Sequence, residues 1–190
     1  KTTTFRGWMP TLDADFPITA EAPAPIDLAS TGSTKGFRFE APPSAFVFDG
    51  GVVTGTVNVQ FKVYDPTGES MRKAYPGVFE MSDDGGKSMT RSTTAVFLRV
   101  IQGANELSLT ADASVIVDAP IPQSLAGTAA DASALLTYDV QGGAWKSVGV
   151  ASRVEKSGAS VYRFAVNSLS WFNVGEVLSQ PVCVVGCVVD

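Results

Sequence analysis

The chain has no histidine, only two cysteines and no run of like charge, and each scarcity removes a class of function. Without His no side chain titrates unperturbed near neutrality, so a serine or water nucleophile would have to borrow Asp or Glu as its base. Two cysteines without His supply at most half of a four-ligand zinc site. Charged residues are only 17% of the chain, 14 basic against 19 acidic, for a formal charge of -5. Arg6, Lys35, Arg38, Arg72, Lys73, Arg91 and Arg99 are too dispersed for the basic footprint that displaces counterions from a phosphate backbone, so no nucleic-acid partner is expected. No span of about twenty apolar residues is present, and a membrane contact would need an anchor not seen in this sequence. The sequence opens at Lys1-Thr2-Thr3, with neither an initiator Met nor an apolar signal core, and reads as a processed or excised piece. Gly50-Gly51 and Gly142-Gly143 are not followed by a helical pattern and serve as turns, not as a phosphate cradle. No cofactor and no catalytic residue is expected.

What the chain does have is 45% hydrophobic residues with 18 Gly and 11 Pro in 190 positions. That mixture suits many short strands joined by turns, and the length suffices to bury a real core. Residues 11–33 carry Pro17, Pro23 and Pro25, which fix φ and remove donors, so residues 1–35 read as a proline-rich arm or extended segment. Its apolar Phe16, Ile18, Ile26 and Leu28 imply that it lies along a groove of its own domain or of a neighbour. The regular pattern starts at Gly36: Phe37 and Phe39 alternate with Arg38 and Glu40, and Phe46-Val47-Phe48 runs into the turn Asp49-Gly50. Val53, Val57, Val59, Phe61 and Val63 share one parity, the clearest strand of the chain. Glu69 to Ala74 reads as a helical turn, and Gly77 to Met81 as a short strand closed by an acidic loop, Ser82 to Gly86. That loop lacks the alternating carboxylates of a calcium loop, and Asp83-Asp84, as adjacent turn residues, point apart into solvent. Thr94 to Gln102 is apolar on nearly both faces and therefore central, with Leu107-Leu109 and Val115-Val117 following.

From Leu135 to Val177 the sequence reads as two hairpins, turned at Gly142-Gly143 and Ser157-Gly158, and a final aromatic strand. Tyr138, Trp145, Tyr162, Phe164, Trp171 and Phe172 lie in this stretch, with Trp145 and Trp171 expected in the core and Trp8 the most exposed of the three tryptophans. The order tyrosine, glycine turn, tryptophan, glycine, then a strand closing on Ser168-Leu169-Ser170 resembles the end of GAIN-type domains of adhesion receptors and the related sandwich of ankyrins and netrin receptors. In those families a His-Leu/Phe-Ser/Thr step cuts its own backbone. The resemblance places Ser170 as nucleophile, Leu169 as the preceding residue and Ser168 where the basic histidine belongs, which leaves a degenerate cleavage-like site inside a buried final strand. The Trp145 to Gly149 spacing and Leu169-Ser170-Trp171-Phe172-Asn173 are more similar to domains of multidomain bacterial surface proteins, over roughly Gly36 to Asn173.

Cys183 and Cys187 fall in the last eight residues. In an extended strand, residues four apart stand about 13 Å from each other, so a mutual disulfide needs a turn at Val185-Gly186, and a bond to a neighbour is the alternative. The expected fold is all-β, a β-sandwich of roughly ten or more short strands over residues 36–178, with the proline-rich arm before it and a valine- and cysteine-rich tail, 179–190, that begins another domain or serves as an assembly strand. The expected function is a non-catalytic structural or adhesive module of a secreted or cell-surface bacterial protein, with other domains of the same protein or copies of itself as partners. Two alternatives are a subunit of an extracellular filament or tube that assembles by strand addition, and a carbohydrate-binding module using exposed tryptophan.

Overall fold

The computed structural model describes residues 12–28, 32–68, 76, 80–83 and 86–178. The first part of the chain forms β1 (Ala14–Thr19), β2 (Ile26–Asp27), β3 (Arg38–Glu40), β4 (Phe46–Phe48), β5 (Gly51–Val52), β6 (Thr56–Tyr64), β7 (Glu80–Asp83) and β8 (Gly86–Gln102). The second part adds β9 (Asn105–Glu106), β10 (Ser108–Leu109), β11 (Val115–Pro120), the short helix α1 (Gln123–Ala126), β12 (Ala132–Asp139), β13 (Ala144–Lys156), β14 (Ala159–Val166) and β15 (Trp171–Leu178). The fold is all-β and sandwich-like.

Twelve strands belong to one sheet, whose main path is β1-β6-β8-β15-β12-β13-β14-β11-β3-β2, while β10, β4 and β5 make a separate three-stranded sheet. The long sheet doubles back on itself. Phe37, just before β3, stacks on Phe61 of β6 with ring centroids 3.7 Å apart, and Phe164 of β14 meets Phe172 of β15 at 6.0 Å. The alternating valines of β6 supply this core together with Val96, Leu98 and Val100 of β8 and Val115 and Val117 of β11. On β6 the buried parity of Val57, Val59, Phe61 and Val63 fixes the register, since a slip by one residue would turn these side chains away from the core.

Two bulges let long strands serve both layers. Leu135 pairs with Gly149 but Leu136 with Ser147, which leaves Val148 as an extra residue of β13. On β8, Val174 pairs with Thr94 and Gly175 with Ser92, so Thr93 is extra. An extra residue bends its strand and deepens the twist. Strand β7 then pairs antiparallel with β8 and parallel with β13, closing β8-β15-β12-β13-β7 into a small ring. Inside it lies a second core of Tyr64, Met81, Ala95, Leu136 and Trp145.

The tight turns follow from backbone chemistry. Asp49 and Gly50 have φ of 49° and 77°, and Ser157 and Gly158 have φ of 52° and 71°. Two consecutive left-handed residues match the twist of the strands they join, which is why Asp-Gly and Ser-Gly occupy these hairpins.

The segment expected as an arm begins the sheet. Residues 14–19 pair with β6, residues 26–27 pair with β3, and Ile18, Ala20 and Ile26 are buried. Its prolines are compatible with pairing because of where they stand. Ala20 N donates to Gly55 O at 2.9 Å, so alternate residues of β1, namely Ile18, Phe16 and Ala14, turn their backbone groups to β6, and Pro17 turns outward. Likewise Leu28 N donates to Phe37 O at 2.9 Å, which turns Ile26 towards β3 and the positions of Asp27 and Pro25 outward. At both ends of the long sheet a proline therefore occupies a site where the missing N–H would have faced solvent.

Three further expectations change. Strand β8 begins at Gly86, well before Thr94, with its polar first half paired to β7 and β15. The connection after Val117 stays in β11 as far as Pro120 and then forms α1. Trp145 is fully buried, but Trp171 is only half-buried. Trp8, the turn from Glu69 to Ala74, Asp84, Cys183, Cys187 and the tail lie outside the described residues.

Candidate functional site

Ser168, Leu169 and Ser170 do not lie in a buried strand. They form the connection between β14 and β15, with Ser168 exposed, Leu169 and Ser170 half-buried, and β15 beginning at Trp171. Ser170 O accepts a hydrogen bond from Leu98 N at 2.9 Å, which ties the connection to β8. Among the described residues no hydrogen bond engages the Ser170 hydroxyl, and neither Leu169 nor Ser170 has a left-handed backbone.

The same connection separates two clefts at one end of the sandwich. The larger, about 370 Å³, is lined by Val148, Val166 and Phe172 and rimmed by Asp112, Asn167 and Ser168. The smaller, about 270 Å³, lies across Asn167 and Ser168, between Leu169 and the β9–β10 stretch with Glu106 and Ser108.

The larger cleft exists because the β13–β14 hairpin parts. Ile121 N donates to Ser160 O at 3.0 Å, so alternate residues of β14 from Ser160 turn their backbone groups to β11, and Val161, Arg163 and Ala165 turn theirs to β13. Val161 meets Val154 and Arg163 meets Ser152, where the ladder stops. The next pair would be Ala165 with Val150. Arg153 N donates to Asp131 O at 2.8 Å, which turns Arg153 to β12 and leaves Val150 facing β14. The bulge at Val148 follows two residues further along β13 and bends the strand there. Val148 and Val150 are left 51% and 64% exposed.

Away from the cleft, one row of residues crosses the second layer. Asp27, Arg38, Asp118 and Arg163 are successive Cα partners on β2, β3, β11 and β14. Asp118, with no exposed side-chain surface, accepts from Arg163 Nε at 2.7 Å and Nη2 at 2.9 Å and from Lys156 Nζ at 3.3 Å. Lys156 also reaches Asp27 at 2.9 Å, and Arg38 lies between Asp27 and Glu40. Burial alone would raise the Asp118 carboxyl, but the hydrogen bonds and charge of Arg163 and Lys156 outweigh it and hold the carboxyl below its ordinary value. The arrangement is a neutralised ion network, with each carboxylate answered by a cation.

In the ring core, Trp171 packs on Tyr64 and Phe97, each at 5.1 Å between centroids, and Trp145 Nε1 donates to Pro76 O at 3.2 Å. Burial, and secondly the charge of Asp13, push the Tyr64 phenol far above its ordinary value. Its hydroxyl has no hydrogen-bond partner among the described residues. Also among the described residues, no group of three or more His, Cys, Asp or Glu could hold a metal ion, and no helix is long and apolar enough to cross a membrane. Sequence reasoning missed the cleft, whose one advance sign was the pair of valines flanking Gly149 where a fully buried strand would not need a glycine. No family model, curated protein or solved structure matches the chain.

Proposed function

We propose that the chain is a non-catalytic structural or adhesive module of a secreted or cell-surface bacterial protein, acting through contacts with other domains or copies of itself. The observation that carries this reading is the pair of outward-facing prolines, Pro17 and Pro25, at the two ends of the long sheet. An exposed edge is a template for pairing with another chain, and a proline there breaks its row of donors. Such blunting suits a domain held at high local concentration beside similar domains. The likeness of residues 36–173 to domains of multidomain bacterial surface proteins supports the same context. Assembly by strand addition at β1 or β2 is disfavoured by the same two prolines. The tryptophan-based carbohydrate reading loses two of its three candidates, because Trp145 is buried and Trp171 is packed among aromatic rings.

The test is to express the complete gene in its native host and label intact and permeabilised cells with antibody raised against the sandwich. Labelling of intact cells, or recovery of the domain from the medium, is expected. Signal confined to permeabilised cells would sink the proposal.

A further inference from the structure

We infer that the opening between β13 and β14 is a docking site for a short extended peptide of a partner protein, one that carries apolar side chains next to basic ones. The inference rests on the module reading above and names the chemistry of its partner. Three independent features meet at this place. The first is backbone: Ala165 on β14 and Val150 on β13 turn their N–H and C=O towards the opening beyond Arg163 and Ser152, the last pair of the ladder. An extended peptide satisfies such groups by adding itself to the edge, as in strand augmentation. Both residues are exposed, and the prolines that blunt β1 and β2 have no counterpart on these two strands.

The second feature is the floor. Val148, Val166 and Phe172 line a cleft of about 370 Å³ directly beside those backbone groups. A strand's side chains alternate, so one apolar residue of the peptide drops onto this floor while its neighbours point to the rim. The third is charge. Asp112 on the rim of the larger cleft and Glu106 on that of the smaller are exposed and make no ion pair among the described residues. Two unanswered carboxylates flanking the path favour Lys or Arg in the peptide and oppose Asp or Glu.

The experiment titrates the isotope-labelled full chain with two synthetic probes, acetyl-Val-Lys-Val-Lys-amide and acetyl-Val-Glu-Val-Glu-amide, up to about 5 mM, a range that registers even millimolar affinity. Amide shifts at Val150, Ala165 and Asn167 with the lysine peptide, and not with the glutamate peptide, are expected. Asp112→Lys, a change at an exposed side chain, should weaken the lysine peptide about fivefold. Ala165→Pro deletes the N–H that faces the opening and should abolish binding, with Trp145 fluorescence confirming that the sandwich is intact. No shift at those amides, equal response to both peptides, or binding that survives both variants would overturn the inference. Surface labelling of cells is a separate readout, so a misplaced module and an unused cleft are told apart.

Discussion

Asp118 and Arg163 face one another across β11 and β14 in a fork of two hydrogen bonds, 2.7 and 2.9 Å, and the carboxylate is wholly covered while the guanidinium remains half-exposed. The fork has a pH consequence. Because the folded carboxyl titrates lower than the unfolded one, the unfolded chain takes up its proton first as the solution is acidified. The stabilisation is complete above about pH 4, the ordinary Asp range, and is lost as pH falls through the lower folded value. Asp118→Asn should therefore cost about 3 kcal/mol near neutrality, the order expected when one partner of a buried pair is removed. Paired urea titrations at about pH 7 and about pH 3 check this, and a gap between wild type and variant that does not narrow in acid contradicts it.

The small ring depends on Trp145. It is fully buried against Leu136, Met81 and Tyr64, and Tyr138 lies at 5.4 Å. Trp145→Ala should lower unfolding free energy by about 3–5 kcal/mol, measured by denaturant titration of the full chain.

Gly175 marks a close approach at the β8 bulge. A Cβ there would meet Arg91 O at 2.4 Å and Ser92 Cα at 2.9 Å, both backbone atoms with no rotamer to escape into. Gly175→Ala should destabilise by about 1–3 kcal/mol. Gly127→Ala, where an added Cβ meets nothing within 4 Å, serves as the control and should leave the melting temperature nearly unchanged.

Restoring the donors at the sheet ends should change association. Pro17→Val and Pro25→Val together return two outward N–H groups to β1 and to the position before β2. Light scattering over a concentration series should then show more self-association than in the parent, with far-ultraviolet circular dichroism unchanged. A variant that associates no more than the parent would show that these edges were never a hazard.

The Leu169–Ser170 bond should be intact. With no base on the Ser170 hydroxyl, the chain is expected to give one intact mass after boiling in denaturant, and a pair of fragments divided at that bond is the contrary result.

Strand β6 was legible because Val57, Val59, Phe61 and Val63 keep one parity and all lie in the core; the two aromatic hairpins were legible because Gly and Ser-Gly turns punctuate them. The N-terminal strands were not, because proline counts against a strand only where its N–H is needed. Half the N–H groups of an edge strand face away from the sheet, and Pro17 and Pro25 stand at such positions. The first half of β8 was hidden by its composition: Lys87, Ser88, Thr90, Arg91 and Ser92 carry no apolar alternation, and their strand is set by β7 and β15 on either side. The cleft was hidden more deeply. It comes from one surplus residue in a pairing register, a relation between β12 and β13 that neither strand's own sequence states.

The position of β15 between β8 and β12 has a consequence for the order in which the molecule can be made. This strand is the last described segment of the chain and yet pairs on both sides, Asn173 with Ala95 on one flank and with Leu136 on the other. While a ribosome is still extending the chain, the facing edges of β8 and β12 have no third strand to join them, and the contacts that must form are distant in sequence. Topologies of that kind fold slowly, typically in milliseconds to seconds. A nascent chain would remain open along this seam until residue 178 had emerged, and only then could β15 join the two edges and shut the sandwich.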